Sequence, residues 1–425
     1  MVAEKVLSDS GWKAAGDITS LDLLVAPDGS YTSIAGIYPQ GVKDCFRVTF
    51  EDGASCVVDG DHLWNVWSGS HGHRDGWKIK NTQELLNENG RYAIPLMGAP
   101  APGTTTSVYD PYILGQILGD GCMTGDRPTV YTIESDTVDY LSRAGWSVYG
   151  YESHFKKNMQ VFMCVAPTII AKKIRAILPK KSGVNKAIPE TLLSLVPDER
   201  LRLLQGLMDS DGHCEKSGKC SFSSGSMFLA TGVAYLVRSL GGKASVRVGK
   251  KRETSRGGHL PEIRVSVSPC GKFNPFSLKR KAERVKAVYA YDKRYISSIR
   301  PVGKFETVCF KVDHPSKLFV INDFIVTHNT DASIVWLLRW IQIPEYRFLV
   351  IRRNSRDLSD WVDRAKRMYE GTGAVFTESK VVFPSGAAGV FGHLFDDDAY
   401  EKYQGHEYQK IVIEELTHIP SEELY

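Results

Sequence analysis

The stretch TVCFKVDHPSKLFVINDFIVTHNT, residues 307–330, decides how the chain is read. Apolar and β-branched runs flank Ile321-Asn322-Asp323, the pattern of two strands joined by a turn. The stretch ends on His328-Asn329-Thr330. An asparagine side-chain amide can attack its own backbone carbonyl, close a succinimide and break the bond to residue 330. His328 beside it can protonate the leaving amine. The Thr330 hydroxyl can hold an acyl group just before that break. Such a tripeptide also occurs by chance as a turn, and the strand pair ahead of it weighs against chance. Cys309, in the same stretch, would by itself be an ordinary buried cysteine.

The rest of the chain bounds this reading without naming it. At 425 residues there is room for about three domains of roughly 150 residues each. A 42% hydrophobic content is enough for real cores, and with 24% charged residues it excludes a disordered or collagen-like chain. No apolar run reaches the ~18 residues of a membrane span, and MVAEKVLSDSGWK is not a signal peptide. Eight cysteines are too few for a disulfide scaffold and suit a reducing compartment. A net charge of +4 is too small to argue for nucleic acid.

Texture changes along the chain. Residues 1–95 read as strands and turns, in segments such as DCFRVTF and ASCVVDGDHLWNVW. MGAPAPGTTTS, residues 97–107, reads as a linker. From 108 to 270 helices alternate with strands, and DYLSRAGWSVYGY and AYLVRSLGGKASVRV form a weak repeat. A charged stretch and renewed strands occupy 276–329. After Asn329, TDASIVWLLRWIQ predicts an amphipathic helix, YRFLVIRR a strand and KIVIEELTH a buried strand ending in acids. This order suggests an insertion inside an insertion, followed by an unrelated α/β piece.

Two segments within 108–270 match each other: Ile113 to Gly121 and Leu204 to Gly212, both apolar helical turns ending in Asp-Gly. Gly115 and Gly206 let two helices pack closely. Asp120 and Asp211, 91 residues apart, would then meet at the helix ends. Two carboxylates there repel unless they share a hard cation such as Mg²⁺, an arrangement suited to metal-assisted phosphodiester hydrolysis. A single Asp-Gly is an ordinary helix-end turn; two at this spacing are not. Lys156, Lys157, Arg247, Arg252 and Arg264 could form a basic saddle in a DNA major groove, or simply a solvated face. His213, Cys214 and Cys220 lack a second ligand pair for zinc and read as structural.

Four ordered blocks give the chain a family resemblance. GWKAAGDITSLDLLVAPDGS, VVDGDHLW and the two halves of residues 307–330 resemble those of an intein, a self-splicing insert of the Hedgehog/intein (HINT) fold. The resemblance covers about 1–95 and 290–330. Most inteins begin with Cys or Ser, whereas this chain begins Met1-Val2-Ala3. Trp64, Cys309 and Thr330 resemble the Trp-Cys-Thr signature of class 3 inteins, in which the internal cysteine replaces the missing first nucleophile. The resemblance implies attack by Cys309 on the upstream carbonyl and transfer of the acyl group to Thr330. Asn329 then cyclises with help from His328, and an O-to-N shift makes the new peptide bond. His62 would polarise the upstream bond or supply a proton, and Asp59 would support it where many inteins carry Thr.

The segment at 204–212 resembles the LAGLIDADG motif of homing endonucleases, and that at 113–121 is a looser match. KAIPETLLSL and SGSMFLATGVAYLVRSLGG resemble flanking blocks of such enzymes. Lys186 is then a candidate catalytic lysine, with Lys250 or Lys251 its candidate counterpart. YEKYQGHEYQKIVIEELTHIP resembles the large terminase subunit of tailed phages, a DNA-packaging ATPase. Thr330 would be the Ser/Thr of its phosphate loop, Glu414 would face Mg²⁺ and Glu415 the attacking water.

The expected fold is mixed. An all-β HINT horseshoe (1–95 and 276–329) is split by an α+β LAGLIDADG endonuclease (108–270). A partial P-loop α/β ATPase segment follows (330–425). Splicing needs no cofactor, the nuclease needs Mg²⁺ and the spliced host needs ATP and Mg²⁺. The implied partners are a double-stranded DNA homing site and an upstream terminase extein, with no membrane; the intein acts as a monomer in the cytoplasm of a bacterial host. The chain reads as a fragment at both ends. Two alternatives stand beside this reading: a splicing-competent intein with an inactive endonuclease, and a degenerate HINT/DNA-binding module.

Overall fold

The computed structural model describes residues 1–68, 76–88, 90–152, 160–181, 183–253, 259–286, 293–328, 332–353, 358–394, 399–403 and 405–413. The chain divides into two compact units. One comprises residues 1–37, 41–308 and 312–329; the other comprises 38–40, 309–311 and 330–425.

The first unit carries two six-stranded β-sheets, and each draws on both ends of its sequence. In one sheet, Ile325–His328 pairs with Leu318–Ile321, which pairs with Lys5–Ser8 and so on to Leu24–Val25 and Tyr31–Thr32. Val6 lies opposite Ile321. In the other sheet, the long strands Ile34–Phe50 and Lys293–Val312 lie side by side between Ser55–Asp59 and Tyr92–Pro95, followed by Leu63–Ser68 and Trp77–Asn81. Alternating apolar residues such as Val6, Leu24, Val48, Val57, Val320 and Val326 fill the interior. Residues 1–95 and 293–328 therefore build one β body around the segment between them.

That segment is a two-fold repeat. Helix Pro111–Leu118 leads into the sheet of Gly121–Cys122, Thr129–Thr132, Gln160–Val165 and Ser147–Glu152. Helix Pro197–Asp211 leads into an equivalent sheet of Gly212–Cys214, Cys220–Ser224, His259–Ser268 and Lys243–Glu253. The helices Ser135–Arg143 and Met227–Ser239 occupy matching places in the two halves. One apolar core, including Ile117, Leu118, Leu207, Met208 and Phe222, spans both halves. The expected linker at 97–107 is docked rather than loose. Ala101 is buried and donates its N–H to Ser239 O at 2.8 Å, and Arg200 reaches its carbonyl. A Pro/Gly-rich segment has few side chains to bury, so its backbone groups make the contacts.

The two helices that begin the halves meet backbone to backbone. A Cβ on Gly206 would stand 3.0 Å from Gly115 Cα and overlap the Tyr112 carbonyl; one on Gly115 would stand 2.8 Å from Leu207 N. Only glycine permits that approach.

The second unit has a five-stranded sheet in the order Val375–Phe376, Lys380–Val382, Ala388–His393, Arg347–Arg352 and Lys410–Ile413, the last three parallel. Two expectations change here. The helix expected over 330–342 is short, Ala332–Leu337 followed by a 3₁₀ turn Leu338–Trp340. Ile341 N closes back on Leu338 O, and Pro344 bars continuation of the helix. Lys410–Ile413 lies at the end of the described sheet with Ile411 exposed, so it is half-buried rather than fully buried.

Gly206→Ala should lower unfolding stability by ~1–3 kcal/mol, the usual cost of overpacking. Gly125, with no atom within 4 Å of a built Cβ, is the control whose alanine variant should unfold as the parent does. Denaturant unfolding of both measures the difference.

Candidate functional sites

The first site lies where the β body's early and late strands meet. A turn brings His62 in just before Leu63–Ser68, with His62 N donating to Asp59 O at 3.3 Å. The His62 carbonyl accepts from Thr82 N at 3.0 Å and from Thr82 Oγ1 at 3.2 Å. Trp64, fully buried, donates its indole N–H to Thr82 Oγ1 at 3.0 Å and meets the His62 ring edge-on at 4.8 Å between centroids. Trp64 thus does more than fill space: it fixes the loop that aims His62.

Across from it, His62 Nε2 and Thr327 Oγ1 are 2.5 Å apart. Thr327 is buried on Ile325–His328, and His328 ends that strand opposite Leu318. The site therefore joins His62, Trp64 and Thr327 directly, and His328 and the Met1 amino group are near enough to act on the His62 charge. Part of the His62 ring reaches solvent, but protein surrounds it closely. Burial, with the Met1 ammonium and His328 adding to it, lowers its pKa to about 3. At neutral pH His62 is a neutral imidazole that exchanges hydrogen bonds and does not hold a spare proton. Of its two expected roles, polarising a bond fits this state and supplying a stored proton does not.

Asp59 serves the turn itself. Its carboxylate accepts from Asp61 N at 3.0 Å and faces Lys43 Nζ at 4.0 Å. Cys309 is buried near the end of Lys293–Val312, in the portion of chain grouped with the second unit. Asn329 and Thr330 lie outside the described residues. Thr327 escaped notice in the sequence; its signal is a lone hydroxyl inside the apolar strand Ile325–His328.

The second site lies at the C-terminal ends of the two paired helices. Asp120 and Asp211 are close enough to hydrogen-bond, and Asp211 is raised to about 7 by burial first and by the Asp120 charge and hydrogen bond next. Asp211 therefore keeps a proton at a pH where a water-exposed carboxylate would have lost it. Two carboxylates form an all-oxygen donor set that suits a hard divalent ion such as Mg²⁺. Lys186 is buried beside them, donating to Gly121 O at 2.8 Å, Ile117 O at 3.3 Å and Gly119 O. Its pKa is lowered by burial and held up by Asp211 and Asp120.

The matching lysine in the second half is Lys281, not Lys250 or Lys251. Lys281 Nζ donates to Asp209 O at 2.6 Å, Gly212 O at 2.8 Å and Met208 O at 3.1 Å. These carbonyls end Pro197–Asp211 as those of Ile117, Gly119 and Gly121 end the first helix. Lys250 and Lys251 belong to the strand Lys243–Glu253. The 91-residue spacing of the acids, applied to Lys186, falls on Ser277, four residues before Lys281 and far from Lys250.

Arg247 and Arg264 face one another across paired strands. Like charges directly opposite are unfavourable unless an anion meets them, and Arg264 lies 3.6 Å from the Glu262 carboxylate. Lys156 and Lys157 lie outside the described residues, and of Arg252 only the backbone is described. Cys214 and Cys220 are cross-strand neighbours with sulfurs 3.5 Å apart. Among the described residues no group of three or more His, Cys, Asp or Glu gathers to hold a metal. No described helix is long and apolar enough to cross a membrane. Glu414 and Glu415 lie outside the described residues.

Known proteins resemble parts of the chain. Residues 198–274, which carry the second of the paired helices and most of its sheet, match the LAGLIDADG-like domain family. The chain is 24% identical over 363 residues to the replicative DNA helicase DnaB of Mycobacterium intracellulare, covering 77% of this chain and 58% of that protein. It therefore spans less than two thirds of that relative. Similar solved structures include the MchDnaB-1 intein, at 12% identity over 77% of this chain and 98% of that one, with a TM-score of 0.26. Another is the gp41-1 intein, at 21% identity over 21% of this chain and 62% of that one, with a TM-score of 0.18.

Two outcomes are expected. Imidazole NMR should show His62 neutral at pH 5; an imidazolium signal at pH 6 would contradict the burial argument. Asp211 binds its proton more tightly folded than unfolded, so metal-free stability should fall as pH rises from 4 to 7. Asp211→Asn should flatten that slope and raise the melting temperature at pH 7.

Proposed function

We propose that the chain is an intein of the class 3 type carrying an active LAGLIDADG homing endonuclease. The observation that carries the splicing reading is the His62–Thr327 contact, which ties the second block of the resemblance to the strand that leads into Asn329.

In this reading the Cys309 thiol attacks the carbonyl carbon before the insert, the C–N bond breaks as the C–S bond forms, and the proton the thiol gives up goes to the departing amine. Neutral His62 holds the scissile amide by hydrogen bonding, and Trp64 keeps His62 aimed. The Thr330 hydroxyl then displaces the thiol from the thioester and carries the acyl group as an ester. The Asn329 side-chain nitrogen attacks its own carbonyl, releasing the amine of Thr330 and closing a succinimide. That amine attacks the ester, and the hydroxyl is regenerated as the peptide bond forms. The step at Asn329 falls to His328, since His62 has no proton to give.

The endonuclease would cut a double-stranded DNA homing site with Mg²⁺ held between Asp120 and Asp211. Lys186 and Lys281, buried at the two helix ends, are near enough to act on the carboxylates and on water beside them. The paired carboxylates and the matched lysines favour an active nuclease over an inactive one. For the host, the terminase ATPase reading rests on residues 400–420 and is supported by the parallel strands Ala388–His393, Arg347–Arg352 and Lys410–Ile413. Thr330, Glu414 and Glu415 would serve ATP and Mg²⁺ after splicing, in the cytoplasm of a bacterial host.

The test is expression of the chain behind an upstream peptide, with products read by mass spectrometry. Cys309→Ala should stop upstream cleavage, and Asn329→Ala should stop release of residues 330–425. Unchanged products in both variants would overturn the splicing reading. Lys281→Met should lower Mg²⁺-dependent cutting of the uninterrupted host gene by about 10²-fold or more, with Lys250→Met and Lys251→Met near the parent.

A further inference from the structure

Helix Met227–Ser239 belongs to the insert, yet one of its faces is committed to the β body. Arg238 Nη1 donates to Asp323 Oδ1 at 2.5 Å, and its Nη2 donates to Asp52 O and to Ala244 O at 3.0 Å each. Tyr235, one turn earlier on the same face, packs edge-on against Phe324 at 5.0 Å and accepts from Trp12 Nε1 at 3.0 Å. Trp12 meets Phe324 from another side at 5.2 Å.

Both targets sit in the turn Asn322–Phe324, which joins Leu318–Ile321 to Ile325–His328. Asp323 and Phe324 adopt φ of +56° and +55°, a left-handed backbone that residues with side chains avoid. Two such residues in succession persist only when their surroundings hold them. Within the β body, Arg294 Nη1 donates to Asp323 O at 3.2 Å and Arg294 Nε pairs with Asp52 at 3.1 Å. The remaining side-chain grip on the turn includes Arg238 and Tyr235.

We propose that Arg238, with Tyr235, is a positioning residue for the splicing centre. By holding the Asn322–Phe324 turn, the insert sets the strand that presents Thr327 to His62 and leads through His328 to Asn329. The inference rests on the splicing reading. It makes the insert a working part of the splicing machinery, and it gives a DNA-bound insert a physical route to alter splicing.

The experiment uses the full chain behind an upstream peptide and follows two steps separately. Release of residues 330–425 reports on Asn329, and upstream cleavage by added dithiothreitol reports on the Cys309 thioester. Arg238→Met should slow the release about tenfold or more, the scale on which small misplacements act, while thiol-induced cleavage stays within about threefold. Arg238→Lys should recover part of the loss. Asp323→Asn should slow the same step, and the double variant should be no slower than the worse single one. If Arg238→Met does not fold, Tyr235→Phe keeps the ring on Phe324, drops the Trp12 bond and should slow the release selectively. A parent that releases 330–425 and an Arg238→Met variant that does so equally fast would overturn the proposal and leave the splicing reading intact. A folded parent with no release and no thiol-induced cleavage would overturn the splicing reading and the proposal with it.

Discussion

Pairing of the strands Lys5–Ser8 and Leu318–Ile321 is the constraint on which the first unit depends. It closes a sheet between residues 6 and 321, with the whole insert inside the loop. Such closure is less costly than the separation suggests, because loop entropy grows only logarithmically with length. An insert that folds on its own core and returns its ends to adjacent positions reduces the effective loop further. The two long strands Ile34–Phe50 and Lys293–Val312 repeat the closure in the second sheet. A splicing centre needs this topology, since groups from both ends must share one site.

The insert shows how packing can determine electrostatics. Gly115 and Gly206 bring two helix backbones into contact, and this sets the half-buried Asp211 beside the exposed Asp120. A wider separation would leave Asp211 an ordinary surface carboxylate. Burial and mutual repulsion instead raise Asp211 to about 7. The C-terminal carbonyls of the same helices would be poorly placed beside two acids. Lys186 and Lys281 answer them, each donating to three carbonyls. The ammonium groups thus satisfy helix ends and offset the acidic pair at once.

Much of this was legible in the order of residues. The strand texture of 1–95 and of the region after 290, the Asp-Gly repeat and the close-packing glycines all have counterparts in the fold. Lys281 was overlooked because it lies in a run of several cations, Lys279, Arg280 and Lys281, and only its contacts with the helix-end carbonyls single it out. Thr327 was missed because one hydroxyl in an apolar strand has no pattern of its own. The docking of residues 97–107 was hidden for a related reason: Pro, Gly and Thr leave no hydrophobic period, and their contacts run through the backbone. The helix after residue 331 was read as too long because apolar spacing weighed more than Pro344.

The two sites also differ in how they treat protons. Burial and the Asp120 charge make Asp211 hold its proton, so the state of the acidic pair depends on pH. His62 is disposed against gaining one near neutrality, because burial opposes the charged form. A neutral imidazole held by a threonine hydroxyl can orient an amide and still be indifferent to pH across the physiological range. In the proposed splicing reading, the proton for the amine leaving at Asn329 then falls to His328, at the end of its strand.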